Sequence, residues 1–268
     1  MNPLHWLVPW EPSISVVMVT LVTAIIFIRG SLISKPFYRQ KISFWMGLLS
    51  LYMASHTQFD YYAEHEFFIH QLQSLVLHHF GPFLIVLARP KATLFAGLPL
   101  SGKRLIRWFS EWRSIKCLVN VLFHPVVSVS MFVGIIIFWL LPAIHFIAML
   151  DWRVYRLMNW SMALNGLMFW GIVLNSHSLK SPGCRIAMML AVIPPQIFMG
   201  AIIFFTPFEL YPFYTLCGRA FTGISSITDQ QIGGLILWMH AALMSGVGVM
   251  IVFYQELKQP KPGLGDNR

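Results

Sequence analysis

The chain has 268 residues, of which 57% are hydrophobic and 11% carry a charge, and its formal net charge at pH 7 is +9. Because a soluble domain typically carries about 25% charged residues, this composition excludes an ordinary soluble protein and predicts an integral membrane protein. A positive charge is also typical of nucleic-acid-binding proteins, but the placement of the cations along this chain predicts no nucleic-acid partner.

Seven apolar segments approach the length of about 20 residues that a helix needs to cross a bilayer. They are residues 13–29, 42–60, 67–88, 120–145, 158–176, 185–206 and 231–254. The fifth is the weakest, because Asn159 and Asn165 interrupt it. The sequence therefore predicts an all-α integral membrane protein, with seven transmembrane helices forming a single domain over residues 1–257. No basic stretch precedes the first segment, so we expect it to be a retained span and not a cleaved signal peptide.

Lys and Arg side chains collect in alternate loops. If the N-terminus lies outside, only Arg153, Arg156 and Arg219 of the 19 Lys and Arg residues are external. Cytoplasmic loops of membrane proteins are enriched in Lys and Arg, so this bias predicts an external N-terminus and a cytoplasmic C-terminus. Residues 258–268 then form a polar cytoplasmic tail.

One inner loop has the pattern of an amphipathic helix over residues 101–116. Its apolar side chains share one face and its cations fill the other. The apolar positions are Leu105, Trp108, Phe109, Trp112 and Ile115. This pattern predicts a helix that lies on the inner membrane surface, where its cations contact anionic lipid headgroups. The alternative is a cap on the bundle that makes no lipid contact.

Residues 56–79, HTQFDYYAEHEFFIHQLQSLVLHH, concentrate five of the ten histidines together with Asp60, Glu64 and Glu66. Four polar residues in this stretch recur at intervals of four and should form a stripe down one helix. They are Glu66, His70, Ser74 and His78. At 1.5 Å per residue, the last lies roughly 12 Å deeper than His70. Ionisable groups at such depth are costly and usually functional.

Imidazole nitrogen binds copper, zinc and iron, and thioether sulfur favours Cu(I). The stripe therefore suggests a site for transiently bound copper, reached from outside. The candidate ligands are His70, His78, His79, His56, Asp60 and His240, with Met239, Met244 and Asp229 as secondary candidates. The alternative is that the histidines only form hydrogen bonds between helices and the methionines only pack.

The segment HQLQSLVLHHFGPFLIVLARP (70–90) resembles the third-helix signature of the CtaG family of cytochrome c oxidase assembly factors. That signature reads roughly H-M-x-x-H, then an apolar run, then P-x-L-L. His70 takes the first histidine position, and Pro82 and Leu84 match the later elements. The segments HPVVSVSMFVGIIIFWLLP, GLMFW and DQQIGGLILW are similar to the fourth, fifth and seventh helices of the family.

The match departs from the signature at two positions. Ser74 stands where the family has its second histidine, and Gln71 stands where it has methionine. The resemblance implies assembly of a haem–copper oxidase in a bacterial plasma membrane, with cytochrome c oxidase subunits as partners. It also implies that copper could be supplied on the outer side.

Three other functions remain open from the residues. The chain could be a metal-free scaffold for oxidase subunits. It could be a b-type haem protein, with His78 or His79 and His240 as the axial ligands. It could be a proton-coupled transporter that uses Glu66, His70 and His78, although no internal repeat supports this. The chain has no H-E-x-x-H, G-x-S-x-G or phosphate-loop motif, so we expect no enzymatic activity.

Overall fold

The computed structural model describes residues 12–175 and 180–258, and these residues form an all-helical structure without strands. The helices are α1 (Ile14–Ser34), α2 (Tyr38–His56), α3 (Gln58–His65), α4 (Phe67–Leu75), α5 (Gly81–Leu87), α6 (Lys91–Gly97), α7 (Leu100–Glu111), α8 (Arg113–Leu122), α9 (Pro125–Leu140), α10 (Pro142–Leu150), α11 (Trp152–Val173), α12 (Pro182–Ala191), α13 (Ile193–Phe205), α14 (Phe213–Leu216) and α15 (Ser226–Leu257). A π-helical turn, Val76–Phe80, joins α4 to α5. The all-α prediction is confirmed. Most of the predicted cytoplasmic tail, residues 259–268, lies outside the described residues.

Three helical stretches of the described chain are long and apolar enough to cross a membrane: α1, α12 with α13, and α15. Two bent pairs raise this number to five if each counts as one span. One pair is α4–α5 with α6, bent by 77°, and the other is α8 with α9, bent by 71°. The helices α2 and α11 occupy the second and fifth predicted spans, but polar residues lower their hydropathy. The count of seven spans and the orientation of the termini stay predictions.

The second predicted span ends earlier than residue 60. Helix α2 stops at His56, because Thr57 is extended and its hydroxyl oxygen accepts a hydrogen bond from the Phe59 N–H at 3.3 Å. This cap begins the short helix α3. The break turns the chain so that α3 does not continue the face of α2.

The continuous helix α4–α5 lies in the centre of the bundle, in contact with α2, α11 and α15. Glycines allow these helices to approach closely. A Cβ on Gly47 of α2 would lie 2.9 Å from the Gly81 carbonyl oxygen of α5. On the far side of α15, a Cβ on Gly200 of α13 would lie 2.6 Å from the Gly234 carbonyl oxygen. Small residues at helix crossings are the usual means of close packing in membranes, and here they place α4 where its side chains face three other helices.

The predicted amphipathic helix 101–116 is interrupted. Trp112 is extended and separates α7 from α8. The rings of Trp108 and Phe109 contact that of Trp112, with centroid distances of 4.4 and 5.3 Å. Neither helix buries any residue against the bundle. Two short amphipathic helices therefore replace the single predicted helix, and the break at Trp112 precedes the sharp bend from α8 into α9.

Candidate functional site

The π-helical turn orients two consecutive histidines of the central helix into the protein. In this turn the Gly81 N–H bonds to the Val76 carbonyl oxygen, five residues back instead of four. Such a turn holds an extra residue and is frequent at functional sites. His78 and His79 are both buried, with 0% and 1% exposure. In a regular α-helix, side chains at adjacent positions point about 100° apart. The two imidazoles could then less easily both face the interior.

The deepest group of side chains is formed by His78, His79 and His240. The ring centroids of His79 and His240 lie 4.8 Å apart, and those of His78 and His79 lie 5.2 Å apart. His78 Nε2 donates to the Asn165 side-chain oxygen at 3.0 Å. His240 Nδ1 donates to the Ile236 carbonyl oxygen at 2.8 Å. In a neutral imidazole the second nitrogen then carries a free lone pair, so His78 Nδ1 and His240 Nε2 are the nitrogens able to bind a cation.

His79 is the least satisfied histidine of this group. Neither of its ring nitrogens makes a hydrogen bond of good geometry, and its contact with the Gln196 side chain is the weak exception. Most of the buried polar atoms without a partner in the described part of the chain gather around the same place. They belong to His70, Gln71, His78, His79, Asn165, Trp170 and Gln196. A buried polar atom without a partner costs about 1–3 kcal/mol, so this concentration points to a site that takes an occupant.

His70 lies nearer the start of α4, beside a second histidine. The ring centroids of His70 and His145 are 4.9 Å apart. His145 uses both nitrogens, since Nδ1 bonds to the Trp139 carbonyl oxygen at 3.0 Å and Nε2 to the Tyr214 hydroxyl at 2.9 Å. His70 Nδ1 has no partner. His145 is therefore a structural residue of this region, and His70 is the one with a free nitrogen.

One small cavity connects both groups, and we call it the histidine cavity. Its volume is about 10 Å³, room for about one water molecule. It is lined by His70, Gln71, Ser74, His78, His79, Ile136, Trp139, Leu140, Met158, Met162, Leu237 and His240. Three members of the predicted stripe, His70, Ser74 and His78, thus face a single interior space, whereas the fourth, Glu66, does not line it and bonds to Arg219 instead. A haem between His79 and His240 does not fit, because the porphyrin would have to lie between two rings that are already in contact.

Two predicted ligands lie elsewhere. His56 Nε2 accepts from the Ser13 N–H at 3.0 Å, and its Nδ1 lies 3.1 Å from the Tyr52 hydroxyl. Asp60 accepts from the Gln73 amide at 2.6 Å and from the Tyr155 hydroxyl at 2.8 Å. Asp60 therefore lies beside the Gln73 face of α4, His56 lies between α2 and the start of α1, and neither lines the histidine cavity.

The secondary candidates also lie apart from the cavity. Met239 is 52% exposed and points away from the bundle interior. Met244 packs against the apolar core near Trp170. The Asp229 carboxylate accepts hydrogen bonds from the Phe67 and Phe68 N–H groups at 3.0 and 2.8 Å, so it caps the N-terminus of α4. Within residues 12–175 and 180–258, no three His, Cys, Asp or Glu residues are arranged to hold a metal ion.

A buried ion network closes the end of α4. Arg219 bonds to the carboxylates of Glu66 and Asp229, the latter at 3.1 Å. Glu66 also accepts from the Phe221 N–H at 2.8 Å. Burial raises the pKa of the Glu66 carboxyl, while the Phe221 N–H and the Arg219 guanidinium oppose that shift. The segment between α14 and α15 is thereby fastened over the first turn of α4.

Sequence reasoning missed several residues of the site. Met158 and Met162 line the cavity from α11, and their spacing of four residues was a readable sign of a shared face. Asn165 marked an interruption of the fifth span and is in fact the partner of His78. For Arg219, the only indication in the sequence was that it is one of three Lys or Arg residues predicted on the outer side.

One of three comparisons with known proteins finds a match. No curated protein and no solved structure matches the chain. A family described as cytochrome c oxidase caa3 assembly factor, Caa3_CtaG, matches residues 16–259, which is nearly the whole chain and includes every helix that lines the histidine cavity. The chain belongs to this family of cytochrome c oxidase assembly factors.

Proposed function

We propose that this assembly factor handles copper as its cargo and passes it to an oxidase subunit, with the histidine cavity as the transient binding site. The observation that carries the proposal is the set of free nitrogens on His70, His78 and His79 around one interior space. Met158 and Met162, which carry thioether sulfurs, line the same space. A mixture of imidazole and thioether ligands without thiolate suits Cu(I). An incomplete set of ligands binds an ion weakly, which suits a cargo that must be released again.

The hydrogen bonds of the histidines support this proposal. Asn165 and the Ile236 carbonyl oxygen each accept an N–H from one ring nitrogen, so the opposite nitrogens of His78 and His240 keep their lone pairs. Partners of this kind commonly orient metal-binding histidines. A bound copper ion would accept these lone pairs.

We also propose seven spans with the N-terminus outside, in the plasma membrane of a bacterium. The distribution of Lys and Arg supports this orientation. It puts the Glu66–Arg219–Asp229 network at the outer end, so that the cavity would be loaded and unloaded on the outer side. The cations of α7 and α8 would then face anionic headgroups of the inner leaflet, and the oxidase subunits would dock from within the membrane.

The copper proposal is tested by loading the detergent-purified full chain with Cu(I), washing it, and measuring copper per protein. We expect near-stoichiometric copper in the wild type and a loss of affinity of roughly 10–100-fold or more in His79→Ala. His124→Ala is the matched control, because His124 is exposed at the start of α9 and should leave copper unchanged. Equal copper in all three samples would contradict the site.

A wild type that retains no copper would favour a metal-free scaffold. The lack of a three-ligand group in the described residues is the observation in favour of this second function. If the protein is a metal-free scaffold, His79→Ala should leave oxidase assembly in cells intact. If it handles copper, cells with His79→Ala should contain an oxidase that lacks its copper.

The orientation is tested with the natural cysteines. Cys117 and Cys217 are both exposed, and Cys184 is half-buried. With the N-terminus outside, only Cys217 lies on the outer side. We expect a membrane-impermeant maleimide to label the protein on intact spheroplasts, and Cys217→Ser to abolish that labelling. Labelling that survives in Cys217→Ser but disappears in Cys117→Ser would reverse the orientation.

A further inference from the structure

An open groove lies in the angle between α8 and α9, and we call it the basic groove. Its volume is about 530 Å³, which is within the range of about 300–1,000 Å³ that is usual for ligand pockets. Arg113, Lys116 and Asn120 line it from α8, and His124 lines it from the start of α9. The basic groove shares no lining residue with the histidine cavity, so its occupant would not compete with copper.

The basic groove exists because α8 leaves the bundle. Helix α8 meets α9 at a bend of 71°, contacts chiefly its chain neighbours α7 and α9, and buries no residue. Its apolar side chains are therefore uncovered, with Leu118 at 56% and Val121 at 51% exposure. An amphipathic helix of this kind lies in the membrane interface, whereas α9 belongs to the fourth of the spans proposed above. The inference rests on that proposed placement, which sets the bend at the depth of the lipid headgroups.

The basic groove presents positive charge without a carboxylate. Arg113 and Lys116 are three residues apart and both line it, as expected for side chains on one face of a helix. Among the hydrogen bonds and ion pairs of the described residues, none belongs to either of these two side chains. The sequence has no Asp or Glu between Glu111 and Asp151, and neither of those lines the groove. Two cations are thus available to an anion.

Two neutral groups add hydrogen-bond donors to the lining. Asn120 follows Lys116 by four residues and so shares its face of α8, and His124 immediately precedes α9. Both side chains are exposed. Guanidinium, ammonium, amide and imidazole groups all donate hydrogen bonds, and charged donors bind phosphate oxygens strongly. The lining therefore has the chemistry of a phosphate site.

The apolar part of the basic groove favours a lipid phosphate over a free one. Val121 and Val127 line the groove beside the donors, and Leu118 of the same helix is exposed. An acyl chain would cover such side chains, which inorganic phosphate cannot do. The ammonium of a zwitterionic headgroup would meet two cations and no carboxylate. We propose that the basic groove binds one anionic phospholipid, such as phosphatidylglycerol, with its phosphate on the two cations and an acyl chain beside α9.

The natural cysteines report whether the basic groove is occupied. Cys117 lines it and is exposed, whereas Cys217 is exposed elsewhere and serves as the internal control. The detergent-purified full chain is labelled with a maleimide in the presence of phosphatidylglycerol, phosphatidylethanolamine or inorganic phosphate, and the labelling rate of each cysteine is measured by peptide mass spectrometry. We expect phosphatidylglycerol at several times its dissociation constant to slow Cys117 at least about fivefold. Cys217 should be unaffected, and neither phosphatidylethanolamine nor inorganic phosphate should protect Cys117.

Two variants separate the basic groove from the general positive charge of this loop. Arg113→Gln and Arg104→Gln each remove one exposed cation, but Arg104, on α7, does not line the groove. We expect the phosphatidylglycerol concentration that half-protects Cys117 to rise at least about fivefold in Arg113→Gln and to stay at the wild-type value in Arg104→Gln. Copper retention should be unchanged in both, because neither residue lines the histidine cavity.

Three results would overturn the proposal. Equal protection by phosphatidylglycerol and phosphatidylethanolamine would show that the charge of the headgroup is not recognised. Equal protection by inorganic phosphate would show that the groove needs no lipid. Equal weakening in Arg113→Gln and Arg104→Gln would reduce the effect to overall charge. Because the labelling is done in detergent and without copper, its outcome is independent of the copper and orientation experiments.

Discussion

Replacing Arg219 by alanine is expected to destabilise the protein strongly, by about 3–5 kcal/mol. Its guanidinium bonds to Glu66 and Asp229, whose side chains are 0% and 1% exposed. Without Arg219, two buried carboxylates would face each other with no cation, and that arrangement costs far more than the loss of a surface ion pair. The melting temperature of the detergent-purified protein should fall on the order of 10 °C.

Arg153→Ala is the control for this change. Arg153 is exposed, also lies on the predicted outer side, and stacks over the Trp152 ring at 5.5 Å. Its removal should change stability by no more than about 0.5 kcal/mol. Adding Glu66→Gln to Arg219→Ala should recover part of the loss, because one buried charge is removed with its partner. Equal melting temperatures for Arg219→Ala and Arg153→Ala would show that the network carries no stability.

Gly166→Ala is expected to damage the histidine cavity as well as the fold. A Cβ at this position would collide with the His78 carbonyl oxygen and would lie 2.9 Å from Pro82. The backbone of the π-helical turn cannot give way as a flexible side chain can, so α11 must move outward. Overpacking of this kind costs about 1–3 kcal/mol. Since Asn165 is the adjacent residue and fixes His78, we also expect a clear loss of copper in the loading experiment.

The same helix offers a matched control. Gly171 has open space around its Cβ position. Gly171→Ala should therefore be neutral or stabilise the protein by about 0.5–1 kcal/mol, because alanine has the higher helix propensity. If Gly166→Ala melts at the same temperature as Gly171→Ala and keeps its copper, the close crossing of α11 and the π-helical turn is not required.

Periodicity and hydropathy predicted much of this fold. Within the described residues each predicted span falls mostly on helix, because a long apolar segment in a membrane must satisfy its own backbone. Extended residues interrupt two of them, at Thr57 and Leu141. The stripe of His70, Ser74 and His78 faces one cavity, because spacing by four residues places side chains on one helix face. These features depend only on the spacing of residues within one helix, which can be counted in the sequence.

Contacts between helices could not be predicted from the sequence to the same extent. His56 and Asp60 were grouped with the stripe by proximity in sequence, but His56 bonds to Ser13 and Tyr52 instead, and Asp60, after the helix break at Thr57, bonds to Gln73 on another face of α4. The side chains that complete the cavity come from α11, across a crossing set by Gly166. No pattern within one helix reveals which glycine meets which neighbour, so such pairs could not be inferred from a single sequence.

The π-helical turn also determines how the chain should respond to the loss of a single residue. A π-helical turn holds one residue more than the corresponding stretch of regular helix. Deleting one residue between Val76 and Phe80 should therefore restore a regular helix there and leave the contacts of α4 and α5 in place. We expect the bundle to survive such a deletion, but one of the two imidazoles would turn away from the interior.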